Sequence, residues 1–181
     1  IFDDLGLKKD ESYSILRFVK RKAHHDLGHN GISSLNKILI VKKLLNYGKV
    51  FITSEGELPK EIEEYRIKLA PEKIHSVLYY AKLFYGESAT MASESAVLGT
   101  PAIYIDNDGR GYTDEQESKY GLVANYKETQ EDQKKSILKA IEILSSYNQS
   151  EWDAKRTRLL KDKIDVTNFL IDKVIKIQKE T

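Results

Sequence analysis

LFYGESATMASESAVLGTPAIYID, residues 83–106, is the stretch whose reading decides the fold. LFYG has the length and apolar character of a buried strand, and Gly86 offers a tight turn out of it. TMASESAVLG, residues 90–99, is small and apolar and ends in Gly, as a helix does. Pro101 stops any continuation, and PAIYID at 101–106 is again a strand. A strand, a helix and a second strand in such quick succession close most simply as a parallel pair joined by a crossover helix.

The same alternation extends outward in both directions. Strands are expected at YSILRFV (13–19), KVFITS (49–54), RIKL (66–69) and GLVANY (121–126). Helices are expected at NKILIVKKLLNY (36–47), LPKEIEEY (58–65) and PEKIHSVLYYA (71–81). The pattern predicts an α/β fold, a Rossmann-like, doubly wound parallel sheet of about six strands covered by helices on both faces. After Tyr126 only helices follow, at about 129–146, 151–161 and 165–179, a C-terminal helical tail. The expected division is therefore an α/β core over 1–128, with C-terminal helices over 129–181 packing on it. The polar run KETQEDQKKS, 127–136, reads as a solvated helix start. In the last helix Val166, Phe169, Leu170, Val174 and Ile177 fall on one face.

Composition excludes several classes of function. The 29 basic and 28 acidic residues of the 181 leave a net charge of +1, without the imbalance of a nucleic-acid or membrane-surface binder. With no cysteine there is no disulfide framework, thiolate nucleophile or Cys-ligated zinc, which suits a cytoplasmic setting. No apolar run reaches the roughly 20 residues of a membrane span, so the chain is not expected to be transmembrane. It begins at Ile1 without methionine, so it is expected to be a fragment of a longer protein, cut at or near a domain boundary.

In an open parallel sheet the ligand crevice lies beyond the carboxyl ends of the strands. The loops that follow strands, 20–31, 54–57, 86–90 and 106–115, should therefore open on one edge. They carry His24, His25 and His29, and the segment Gly109-Arg110-Gly111. In the turn after LFYG, the N–H groups around Ser88, Ala89 and Thr90 suit a phosphate, and Glu94 one helical turn later suits ribose hydroxyls. Equally, Ser88 or Thr90 caps the helix and Glu94 complements its positive end. Arg110 between two glycines could close over a phosphate as a two-pronged donor, or belong to an ordinary loop. Lys20, Arg21 and Lys22 follow the first strand at the same edge. The three histidines are candidate acids, bases or hydrogen-bond donors for catalysis. Metal binding would require three side chains of the 24–29 loop to converge, and no metal is expected there. Glu55 and Glu57 have no evident role beyond turn chemistry.

Glu87-Ser-Ala-Thr-Met-Ala-Ser-Glu-Ser-Ala-Val-Leu-Gly-Thr-Pro101 resembles the signature of the C-terminal domain of GT-B-fold proteins, including UDP-N-acetylglucosamine 2-epimerase. With LRFV (16–19), AHHDLGHNGIS (23–33), FITSEGELP (51–59), IHSVLYYAKLFYGE (74–87) and KYGLV (119–123), the match is closer to a prokaryotic family of GT-B-like proteins related to that epimerase and to glycosyltransferases. The resemblance implies the nucleotide-sugar-binding half of a glycosyltransferase or sugar epimerase, with a UDP-sugar as substrate and no further cofactor. It implies that Glu94 binds the ribose and that the Ser88, Ala89 and Thr90 turn holds the diphosphate; Gly109, Arg110 and Gly111 join the nucleotide-sugar site only by their place in a loop that follows a strand. It further implies that the missing N-terminal Rossmann-like domain is a partner, and that the last helix crosses to it or supports a homodimer. Where the epimerase pattern has Asp-Ser-Gly-Gly, this chain has Glu87-Ser88-Ala89-Thr90, and Cβ atoms occupy space a phosphate would use. That departure sustains the alternative of a non-catalytic ligand-binding or assembly domain on the same scaffold.

Overall fold

Five parallel strands form a single sheet among the described residues, which in this computed structural model are 1–20 and 29–180. They are β1 (Tyr13–Phe18), β2 (Lys49–Ser54), β3 (Leu83–Gly86), β4 (Ala102–Ile105) and β5 (Val123–Tyr126), in the order β2-β1-β3-β4-β5. The sheet has five strands rather than about six. RIKL makes only one bridge to β2, Ile52 to Arg66, because the segment leaves the sheet edge before Pro71.

Among the described residues seven α-helices complete the layers: α1 (Ser34–Leu44), α2 (Ile74–Tyr80), α3 (Ala89–Leu98), α4 (Gly111–Ser118), α5 (Gln130–Ser145), α6 (Gln149–Asp162) and α7 (Val166–Glu180). LPKEIEEY is a 3-10 segment, Lys60–Tyr65, and a single 3-10 turn, Pro71–Lys73, leads into α2. On one face α1 packs with α5, and on the other α2, α3 and α4 lie side by side with α6 behind α3. Connections from β1 run to β2 on one side, then back across β1 to β3 on the other. The direction of winding therefore reverses between β1 and β3, where an open α/β sheet forms its crevice.

The inner strands β1, β3 and β4 are mostly apolar and buried, as a sheet covered on both faces requires. Ile15, Leu16, Ile52, Phe84, Ile103 and Ile105 are all buried. Buried tyrosines find partners for their hydroxyls: Tyr13 donates to the carbonyl of Val77 at 2.7 Å, and Tyr85 meets Ser136 Oγ at 2.8 Å. α3 ends at Gly99 with φ 93°, a left-handed cap that satisfies the helix's last carbonyls.

The run 127–136 is not simply solvated. α5 begins at Gln130 with Thr129 as its cap, and Glu128, Gln133 and Ser136 are buried. Gln133 and Ser136 continue the inward face of Ile137, Ala140 and Ile143 back toward the helix start. α7 presents the opposite case. Its Val166, Phe169, Leu170, Val174 and Ile177 are all exposed, at 47–63%.

Candidate functional site

Gly86 determines how closely the two strands at the winding reversal approach each other. It pairs with Arg17 of β1, and a Cβ built there would lie 2.2 Å from the Arg17 carbonyl oxygen. No side chain fits, so β3 can turn at this point only through glycine. The next residue, Glu87, is buried and accepts hydrogen bonds from the backbone N–H of Val19 at 2.8 Å and of Ile32 at 2.5 Å. It thereby ties both described ends of the β1–α1 connection to the end of β3.

A second buried carboxylate repeats the device at the end of β5. Glu128 Oε2 accepts from the N–H groups of Asn30 at 2.6 Å and Gly31 at 2.8 Å, and Oε1 lies 3.0 Å from His29 Nδ1. Gln133 extends this network, accepting from Asn36 Nδ2 at 2.7 Å and donating to the Glu128 carbonyl at 2.7 Å. His29 Nε2 is 3.4 Å from Asp108 Oδ1 in the loop after β4. The hydrogen bond to Glu128 holds the His29 pKa above the usual imidazole range against the opposing effect of desolvation, and the charges of Glu128, Asp106 and Asp108 add to the rise.

Ser88 is the N-cap of α3, its Oγ accepting from the N–H of Met91 at 3.3 Å. That is the capping role, leaving Ala89 and Thr90 in the first turn of the helix at the strand edge. Ser88→Ala is expected to cost about 1 kcal/mol through loss of the cap. In a thermal melt this reads as a fall of roughly 2–4 °C. An unchanged melt would mean that the cap contributes nothing. Glu94 is about one-third exposed, with His75 Nε2 3.5 Å from its carboxylate.

Arg110 occupies the N-cap position of α4, and its Nη1 donates to the Gly109 carbonyl at 2.7 Å and lies 4.0 Å from Asp108. These contacts are all within its own loop, where Gly109 has φ 70° and Gly111 opens α4. α4 and α3 are joined by Gln116 Nε2, which donates to Ser93 Oγ at 2.9 Å, so both helix N-termini open at one edge. Lys20 is exposed at the end of β1, its N–H 3.4 Å from Glu55. His24, His25, Arg21 and Lys22 lie outside the described residues.

Sequence reasoning missed two features. One is a groove of about 500 Å³ between the ends of β1 and β2 and the first turn of α3, with Arg17, Ser54, Ile67, Leu69, Pro71 and Met91 among its walls. Arg17 pairs with Glu55 there, and its Nε is buried with no hydrogen-bond partner among the described residues. The other is the set Glu87, Asp106 and Glu128, three buried carboxylates at the ends of β3, β4 and β5. For Glu87 and Asp106 an acid directly after an apolar strand was the available signal, since a charge is buried only where it is bound; Glu128, inside a polar run, carried none.

No family model and no curated protein matches the sequence. Solved structures do resemble the fold. The UDP-GlcNAc 2-epimerase from Methanocaldococcus jannaschii shares 13% identity with a TM-score of 0.55, covering 89% of this chain and 48% of that one. A spinosyn rhamnosyltransferase shares 15% at a TM-score of 0.55, over 88% and 43%. The O. sativa protein Os79, in complex with UDP and deoxynivalenol-3-glucoside, shares 14% at 0.52, over 81% and 36%. The chain spans less than half the length of each of these proteins. At such identities the likeness is one of fold, and the chain has the Rossmann-like α/β fold of one half of a GT-B protein.

Proposed function

We propose that this chain is the nucleotide-sugar-binding, C-terminal half of a GT-B-like glycosyltransferase or sugar epimerase that uses a UDP-sugar. The observation that carries the reading is the groove of about 500 Å³, which runs from the ends of β1 and β2 to the N-terminal turn of α3. Its apolar walls, Ile67, Leu69 and Met91, suit the faces of a base. Arg17, which can only donate, suits a base carbonyl. Ala89 and Thr90 offer helix N–H groups to a diphosphate, and Glu94, part-exposed one turn further along, accepts from ribose hydroxyls. Transfer or epimerisation at the sugar would proceed with the departing UDP stabilised by these donors and by Arg110 moving over from its loop.

The N-terminal Rossmann-like domain would supply the other wall of the crevice. The exposed apolar face of α7 would seat on that domain or on a second copy of the chain. No helix among the described residues is long and apolar enough to cross a membrane, and a cytoplasmic setting is part of the same proposal. A non-catalytic domain on this scaffold is the second reading. It is favoured by the Ser88 hydroxyl already being used as a cap and by side chains at 89 and 90 in place of glycines.

Titration with UDP, followed by amide NMR, tests the first reading. Shifts are expected at residues 67–74 and 86–94. Because a hydrogen bond to a charged group is worth about 1.5–3 kcal/mol, Glu94→Ala should weaken binding by roughly ten- to a hundredfold while leaving the melting temperature unchanged. Shifts confined to other surfaces of the folded protein would instead support the second reading.

A further inference from the structure

We propose that His29, Asp106 and Glu128 form a site for one divalent transition-metal ion of the Mn2+ or Zn2+ class, which clasps together the loops after β1, β4 and β5. One ring nitrogen and two carboxylate oxygens, one from each residue, lie within 4.8 Å of one another. Two atoms bound to the same ion at roughly 2.0–2.2 Å can be no more than about 4.4 Å apart, so a small side-chain adjustment closes the set. The 3.0 Å between His29 Nδ1 and Glu128 Oε1 matches the spacing of adjacent ligands around such an ion. These residues are far apart in sequence and meet only because β1, β3, β4 and β5 lie side by side in that order.

The surroundings orient both ligands. Glu128 Oε2 is held by the N–H groups of Asn30 and Gly31, which fixes Oε1 toward His29. With Nδ1 directed at the ion, the opposite ring nitrogen faces Asp108 Oδ1 at 3.4 Å. A ligating histidine characteristically donates its other N–H to a carboxylate in this manner. Asp106 and Glu128 are buried, and Asp106 also lines a cleft of about 130 Å³ through which an ion can enter. Mixed nitrogen and oxygen donors favour Mn2+ or Zn2+ over Mg2+ and Ca2+, which prefer oxygen alone. Arg110 and Lys127 lie on the outer side of this loop, on Asp108 and on the Asn107 carbonyl, and offset only part of the negative charge. Three protein ligands leave coordination positions for water or for a ligand at the strand edge. The inference stands apart from the nucleotide reading, whose groove lies at the ends of β1 and β2.

The test is titration of the chelator-stripped protein with MnCl2, with free Mn2+ read by electron paramagnetic resonance and bound Mn2+ by broadening of amide signals, and with ZnCl2 as competitor. One Mn2+ per chain is expected, with broadening centred on residues 29–31, 106–108 and 128 and relieved by Zn2+. His29→Gln and Asp106→Asn, each checked for folding by circular dichroism, should each weaken binding at least about tenfold. Absence of saturable binding by either ion up to about 1 mM, the range of the weakest biological sites, overturns the proposal. Binding that survives both substitutions, or broadening centred elsewhere, also overturns it, because the ion would then be held by other groups. Should a variant fail to fold, the location of the broadening in the unsubstituted protein decides.

Discussion

Gly86→Ala is expected to destabilise this protein strongly, although it adds only one methyl group. The added Cβ would sit 2.2 Å from the carbonyl oxygen and 2.9 Å from the nitrogen of Arg17, both backbone atoms of the paired strand. No rotamer change relieves such a contact, so β1 and β3 must separate where the winding of the sheet reverses. Filling an already packed site costs roughly 1–3 kcal/mol where side chains can yield, and a backbone contact places this case at about 3 kcal/mol or more. For a chain of this size that corresponds to a fall of at least roughly 6 °C in melting temperature. A melting temperature within about 2 °C of the parent would show that the strands separate at little cost and would refute the argument.

Glu87→Ala should come close behind, for a different reason. Its carboxylate receives the N–H groups of Val19 and Ile32 in a buried setting, and alanine removes both acceptors at once. Each buried donor left without a partner costs about 1–3 kcal/mol, so the expected loss is roughly 2–6 kcal/mol. Glu87→Gln keeps one acceptor oxygen and places an amide N–H₂ where the other was, so an intermediate loss is expected. Native-state hydrogen exchange gives the local readout: the amides of residues 19 and 32 should exchange markedly faster in Glu87→Ala, relative to those of β2. Unchanged protection at these two amides would mean that other contacts hold the β1–α1 connection in place.

These two neighbours differ in how far they can be read from the sequence. Gly86 is visible as a turn after an apolar strand, because turn chemistry and strand patterning are local. The role of Glu87 is not visible. It stands at the head of ESAT, beside residues that invite a phosphate, yet its partners are backbone groups 55 and 68 positions away. Glu128 hides for the same reason inside a polar run that looks solvated. Ser88, by contrast, was legible as a cap, since capping involves only the next turn of the same helix.

The groove illustrates the limit most directly. RIKL has a strand's composition, but only Arg66 bridges to β2, and the residues that follow form a wall of the crevice instead. Propensity does not decide between these outcomes. The tertiary packing that sets Ile67, Leu69 and Pro71 opposite Met91 does.

By itself the sequence determined the alternation of strands and helices, the doubly wound class, the strand ends as the place for a site, and an apolar stripe along the last helix. All of these follow from hydrophobic period and from Gly and Pro punctuation, which are short-range properties. Only the tertiary structure decided the order β2-β1-β3-β4-β5, and with it the meeting of His29, Asp106 and Glu128 and the groove between β2 and α3. Strand order depends on the side toward which each crossover packs, and a buried carboxylate takes its role from whichever backbone N–H groups that packing brings to it.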